Sequence, residues 1–236
     1  DWMALTKLYG VNPTYNDGDN IYSFKNDIGV FIVDGSGTDT INASTSNKDI
    51  FVDLRPGTHS YEGERSNYIS DPHQLTISHS TQVENIVTGW GNDYVIGNEL
   101  SNWILTFDGN DLIFPGEGTD TVNSGSGSDT VDLSEEFKSI DKLVFNANAD
   151  NSSSDLIYGF IQGVGGDELE IRNFFATDLN FLPLIQISNI PDGLIDACLV
   201  RVVGADLESS SALANSFEPG GHLHNLAISN GLSSLI

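Results

Sequence analysis

Four carboxylates and one amide recur at intervals of nine residues: Asp93, Asn102, Asp111, Asp120 and Asp129. Cutting residues 88–132 into nines gives five aligned lines, TGWGNDYVI, GNELSNWIL, TFDGNDLIF, PGEGTDTVN and SGSGSDTVD, with these residues in the sixth column. Carboxylates brought close together repel, and a hard divalent cation between them turns the repulsion into ligation. Calcium suits such a place best. It accepts about six to eight oxygens, backbone carbonyls included, in flexible geometry, whereas magnesium demands a strict octahedron.

The remaining columns indicate what must hold these side chains. The eighth reads Val95, Ile104, Ile113, Val122 and Val131, all β-branched, as expected of a short strand packing one side chain inward. Glycine fills the fourth column at 91, 109, 118 and 127 and the second at 89, 116 and 125; these are turn positions wanting positive φ or close backbone approach. Six residues of turn and three of strand make half a coil, so eighteen complete one. Alternate turns then stack on the same edge of a flattened right-handed roll. Its parallel strands lie roughly 4.8 Å apart, which sets the sixth-column side chains of turns n and n+2 close together. The expected fold class is therefore all-β: a right-handed parallel β-roll with flanking strands extending its two sheets and a short N-terminal helix.

The charge agrees with a cation-bound state. The chain has 236 residues, 34 acids, 9 Lys plus Arg and a formal charge of −25. Between Arg65 and Lys138 there is no Lys or Arg but there are twelve acids. Such a surface repels nucleic acid phosphates and anionic lipid, so neither is an expected partner. Cys198 is the only cysteine, which excludes an internal disulfide framework and a thiolate zinc cluster. No apolar run approaches the ~18 residues of a membrane span. The 39% hydrophobic content suffices for a core.

The nonapeptide resembles that of the calcium-binding RTX proteins. Around it, DWMALTKLYGVNPTYNDGDNIYSF resembles the junction between the protease domain and the C-terminal domain of serralysin-type metalloproteases. FIVDGSGTDTINAS is similar to that family's first calcium loop, and SDLIYGFIQGVGGDELEIRNF to its closing element. The resemblance implies several calcium ions. A first site combines backbone oxygens of Asn16, Gly18 and Asn20 with Asp34 and Asp39, and a second joins Gly37 and Asp39 to Gln82 and Glu84. Within the repeats Asp93 pairs with Asp111, Asp111 with Asp129, and Asn102 with Asp120, with carbonyls from turn residues such as Gly89, Gly91 and Gly109. Neutral Asn102 implies a weaker ion at its place. Glu117 and Asp108 are expected to face solvent.

The family's protease chemistry needs H-E-x-x-H-x-x-G-x-x-H and a Met-turn. Neither occurs here: His59, His73, His79, His222 and His224 never stand in that pattern. The pair His222 and His224 reads as a surface loop. Met3 reads as a packing residue of a helix capped by Asp1, with Trp2, Leu5, Leu8 and Tyr9 on one side. The expected organisation is 1–87, junction helix, first strands and calcium loop; 88–132, the repeats; 133–205, capping strands; and 206–236, a tail that is a possible secretion-signal region. The resemblance implies a non-catalytic module that folds on calcium outside the cell. Its partners would be the N-terminal metalloprotease domain of a parent protein and a type I secretion apparatus. The alternative is a calcium-dependent polysaccharide-binding or adhesin module, for which Trp90, Trp103, Tyr94 and Phe107 offer stacking surfaces.

Overall fold

The computed structural model describes residues 2–146, 155–161, 166–172, 185–187, 199–203 and 227–229. Helix α1 (Trp2–Tyr9) is followed by strands β1 (Ile21–Tyr22), β2 (Val30–Ile32), β3 (Thr40–Asn42), β4 (Ile50–Asp53), β5 (His59–Glu62) and β6 (Gln74–Ile77). Then come β7 (Asn85–Val87), β8 (Tyr94–Asn98), β9 (Trp103–Leu105), β10 (Leu112–Gly116), β11 (Thr121–Asn123) and β12 (Thr130–Asp132). The last described strands are β13 (Lys142–Asn146), β14 (Asp155–Tyr158), β15 (Glu168–Arg172), β16 (Ile185–Ile187), β17 (Leu199–Val203) and β18 (Ala227–Ser229).

From β7 to β17 successive described strands alternate between two sheets, as a coil with two strands per turn requires, and β18 then pairs β17 in the same sheet. One sheet runs β1-β3-β7-β9-β11-β13-β15-β17-β18 and the other β16-β14-β12-β10-β8-β4-β5-β6-β2. Within the repeats the partner lies eighteen residues on, Tyr94 beside Leu112 and Trp103 beside Thr121. The fold is a parallel β-roll, and its rungs continue past residue 132 with longer turns: Thr121 pairs with Lys142 and Thr130 with Leu156.

Parallel register stacks like on like. Ile86, Ile104, Val122, Leu143 and Leu169 form one column, and Val52, Val95, Ile113, Val131 and Ile157 face it from the other sheet. All ten are buried, each contributing about 1.5–3 kcal/mol by leaving water. The eighth-column residues are thus the wall of the core. The sixth column sits at the rim of that wall, two residues earlier in each rung.

Two features differ from the sequence reading. Residues 50–77 insert an antiparallel piece, with β4 pairing β5 and β5 pairing β6 before β6 meets β2 in parallel. Its turn at Pro56-Gly57, where Gly57 has φ +87°, is a hairpin signal that the nine-residue period overshadows. In α1 the described residues of the expected apolar side are not the buried ones. Thr6 is buried while Leu5, Leu8 and Tyr9 are exposed. The helix is tied down by hydrogen bonds, the Ser80 hydroxyl and the Gly10 N–H both donating to the Thr6 carbonyl. Asp1, the expected cap, lies outside the described residues, as do Cys198, His222 and His224.

Candidate metal centre

Every sixth-column acid makes the same hydrogen bond. Its Oδ1 accepts the backbone N–H of the corresponding residue in the rung below: Asp111 from Asp93 at 2.8 Å, Asp129 from Asp111 at 2.9 Å, Asp120 from Asn102 at 2.7 Å. The acid's own carbonyl receives the N–H just after the next acid, Asp93 from Leu112 and Asp111 from Thr130. Side chain and main chain therefore both clamp each corner, and the acids run in two ladders, one on each edge of the roll. The first ladder begins at Ile50, whose N–H donates to Asp93 Oδ1 at 2.8 Å.

The second carboxylate oxygen has a different fate. Oδ2 of Asp93, Asp111, Asp120 and Asp129 is buried with no hydrogen-bond partner, although these side chains are between 0 and 2% exposed. A buried ionised oxygen left in this way is costly. Burial, above all, pushes the carboxyls up, to about 7 for Asp111 and about 8 for Asp120 and Asp129; the neighbouring acids Asp93 and Asp108, Asp141 and Glu135, and Asp155 and Asp111 respectively add to it, while the ladder N–H groups work downward. The Thr106 hydroxyl also works downward on Asp111, but it donates its hydrogen to the Ser124 carbonyl at 2.9 Å and leaves Asp111 Oδ2 without a donor.

Main-chain oxygens come close to the same corners because the turns carry glycine. At Gly109, with φ +138°, a Cβ would lie 1.9 Å from the Gly91 carbonyl oxygen, and at Gly127, φ +139°, 1.7 Å from that of Gly109. Only glycine lets successive turns stack so tightly. Gly89 and Gly91 pack in the same way on the carbonyls of Ser46 and Lys48. Buried, unpartnered carboxylate oxygens and the carbonyls of the tightly stacked turns are all oxygen donors of the kind calcium takes. Among the described residues no three His, Cys, Asp or Glu side chains converge on one point, so main-chain oxygens have to supply much of any coordination shell.

The N-terminal residues assemble too. The Asn20 N–H donates to Asp39 Oδ1 at 2.8 Å, and the Asn20 side-chain amide donates to the carbonyls of Asn16 and Gly18 and to Asp34 Oδ2. The Tyr22 hydroxyl, not counted among the site residues in the sequence reading, also donates to Asp34 Oδ2, and burial followed by that carboxylate pushes the phenol up. Asp39 donates its N–H to Glu84 Oε2 at 2.7 Å. Burial, then the charges of Asp34 and Glu84, raises the Asp39 carboxyl to about 6. Gly37 packs on the Gly18 carbonyl oxygen, and Gln82 is exposed.

Three acids extend the ladders beyond the sequence reading: Asp141, Asp155 and Asp167. Oδ1 of each accepts the N–H of the previous acid, from Asp120 at 2.9 Å, Asp129 at 3.0 Å and Asp141 at 2.9 Å. Longer turns hide them from a nine-residue frame. The signal that finds them is an acid two residues before a buried apolar residue, as in Asp141 and Leu143, Asp155 and Ile157, or Asp167 and Leu169.

Of the two acids expected in solvent, Asp108 is exposed, but Glu117 is a clamp. Its carboxylate accepts the N–H groups of Glu136 at 2.7 Å and Phe137 at 3.0 Å, holding the loop that lengthens this turn. Glu117→Ala is expected to speed amide hydrogen exchange at residues 136 and 137 by roughly tenfold, a loss of about 1–1.5 kcal/mol. The number of bound ions should stay the same; a lost ion would make Glu117 a ligand instead. Tyr94, offered as a sugar-stacking ring, is taken up by its neighbours, with ring centroids 5.4 Å from Phe51 and 5.6 Å from Phe114.

Comparison with known proteins agrees with this geometry. The family model for the RTX calcium-binding nonapeptide repeat matches residues 87–122 and, in overlapping register, 96–131. Serralysin of Proteus mirabilis is 30% identical over 116 residues, covering 43% of this chain and 22% of the relative. Serralysin B of Dickeya chrysanthemi is 32% identical over 110 residues (41% and 22%), and metallopeptidase AprA of Pseudomonas marginalis 31% over 118 (44% and 24%). The chain thus covers less than a quarter of the length of each of these relatives. Residues 87–131 are RTX calcium-binding nonapeptide repeats, and the protein is a calcium-binding β-roll.

Proposed function

We propose that this chain is the non-catalytic, calcium-folded part of a serralysin-type metalloprotease, and that its folding is conditional on the calcium outside the cell. The observation that carries the reading is the set of four buried carboxylate oxygens without partners, on Asp93, Asp111, Asp120 and Asp129. The ligands would be these acids with the turn carbonyls of Gly89, Gly91 and Gly109, and, at the N-terminal end, Asn16, Gly18, Asn20, Asp34, Gly37, Asp39, Gln82 and Glu84. Bound calcium supplies the positive charge that lets these corners be ionised and dry together.

Without the ion, stacked acids within a chain of charge −25 oppose closure of the roll. Sites of the extracellular class, with dissociation constants on the order of 0.1–1 mM, stay empty inside a cell and fill outside it. Filling them couples binding to folding by mass action. An open chain passes a narrow type I exporter; a calcium-locked roll does not return. The folded roll then stabilises the protease domain to which the relatives' names point.

Far-ultraviolet circular dichroism of the chain in excess EGTA, followed by calcium titration, tests this. A reversible loss and recovery of β signal, with a midpoint between about 0.1 and 1 mM, is the expected result. A chain that keeps its β signal in EGTA would overturn it.

A further inference from the structure

One rung departs from the others in three residues at once. In the line GNELSNWIL the second and fourth columns hold Asn98 and Leu100 where glycine is usual, and the sixth holds Asn102 where aspartate is usual. The structure joins two of these changes. The Asn102 amide donates one hydrogen to the Glu84 carbonyl at 2.9 Å and the other to Asn98 Oδ1 at 3.1 Å. Asn102 Oδ1 accepts the Asn98 N–H at 2.9 Å. Asn98 in turn donates its amide hydrogens to the carbonyls of Leu54 and Val83, at 3.2 and 2.8 Å, and accepts the Leu100 N–H at 2.9 Å.

Both side chains are buried, at 6% and 3% exposure, yet every polar atom of each has a partner. That is the opposite of the aspartate corners, where one buried oxygen per side chain has none. The orientation of Asn102 is fixed by its surroundings. Turning the amide over would set its oxygen against the Glu84 carbonyl and Asn98 Oδ1, and its nitrogen against the Asn98 N–H, three contacts of like with like. Unlike the aspartates, Asn102 offers no ionised oxygen to a cation: its one oxygen and both amide hydrogens are already paired, and the hydrogens satisfy the Glu84 carbonyl and Asn98 Oδ1.

We propose that the joint between the Glu84 rung and the Asn102 rung closes without an ion, the Asn102 amide nitrogen standing in for calcium. The inference rests on the reading that the acid corners hold calcium. It divides the ladder of Asp39, Glu84, Asn102, Asp120, Asp141 and Asp167 into two separate ion arrays linked by a neutral clasp. The clasp does not depend on calcium, so it holds these two rungs together while the aspartate corners on either side empty.

Native mass spectrometry of the 236-residue chain in calcium tests the clasp by counting ions in the wild type, Asn102→Ala, Asn102→Asp and Asp111→Ala. The expected results are an unchanged count for Asn102→Ala and one more ion for Asn102→Asp, whose second oxygen is an acceptor where the amide was a donor. A count lower by one in Asn102→Ala, or unchanged in a folded Asn102→Asp, overturns the clasp. Asp111→Ala separates the two levels: it loses calcium if the acid corners hold it. If it loses none, the parent reading fails, whatever the asparagine variants do. Should Asn102→Asp not fold, the Asn102→Ala count decides.

Discussion

Asp111→Ala is expected to raise the calcium concentration needed to fold the chain more than any other single carboxylate substitution. Asp111 stands in the middle of its ladder. Its Oδ1 accepts the Asp93 N–H and its own N–H donates to Asp129 Oδ1, while its Oδ2 is one of the buried oxygens without a partner. On the proposed coordination, removing the carboxylate would strip one ligand from the ions on both sides, and it leaves the buried Asp93 N–H unpaired. A hydrogen bond to a charged group contributes about 1.5–3 kcal/mol, so the loss is at least about 2 kcal/mol. At ~1.4 kcal/mol per decade that is roughly thirtyfold in apparent affinity. Asp108→Ala, three residues earlier and exposed, should move the midpoint by less than about 0.5 kcal/mol. Equal midpoints for the two variants would remove Asp111 from the coordination scheme.

The second large effect is with pH, and its sign depends on calcium. Burial first, and neighbouring acids after it, place the folded-state values at about 6 for Asp39, about 7 for Asp111 and Asp141, and about 8 for Asp120 and Asp129. In the unfolded chain all five titrate near 3.9. The ion-free folded state therefore binds more protons than the unfolded one between about pH 4 and 8. Stability from these groups is present in full below about pH 4 and is lost as pH rises through 6–8. In EGTA, acidification from about pH 8.5 to 5 should restore β structure, the proton taking over part of the ion's work. With calcium present the proton becomes a competitor, and apparent calcium affinity should fall over the same window.

Glu62 does not confuse the result. Burial acts upward on its carboxyl, but hydrogen bonds with Ser46 and His73 outweigh it and hold the group below its usual value. Its contribution is lost only as pH falls through that depressed value, below the range measured. Circular dichroism against pH, with EGTA and with 5–10 mM calcium on the order of ten times the expected dissociation constant, reads both branches. A chain in EGTA no more structured at pH 5 than at 8.5 would show that repulsion and desolvation at these corners do not oppose folding.

Most of the geometry of the acid corners was legible because its determinants are local. An acid, a one-residue gap and a β-branched residue, repeated every nine, specify a corner and a core position together. Strand and turn dimensions then dictate which side chains meet. Asp93, Asp111 and Asp129 fall into one ladder from the period alone, and the core column Val95, Ile113 and Val131 follows from the same arithmetic. The reading weakened where the period stretched. Asp141, Asp155 and Asp167 occupy the same corners, but a fixed frame of nine steps over them because longer turns intervene. Glu117 looked like a solvent-facing acid because the N–H groups it accepts lie nineteen and twenty residues on, in a loop.

The composition, the period and the alternation of turn and strand were enough to determine a two-sheeted parallel roll with acidic corners suited to calcium, since each of these is set by interactions within about a dozen residues. The tertiary structure decided what each corner lacks. Only when rungs stack does one carboxylate oxygen find a backbone N–H eighteen residues away while the other finds nothing, and only then does Asn102 reach the Glu84 carbonyl. Whether a buried oxygen is satisfied depends on which chain segments are laid against it, and that is fixed by long-range register rather than by the residues beside it in sequence.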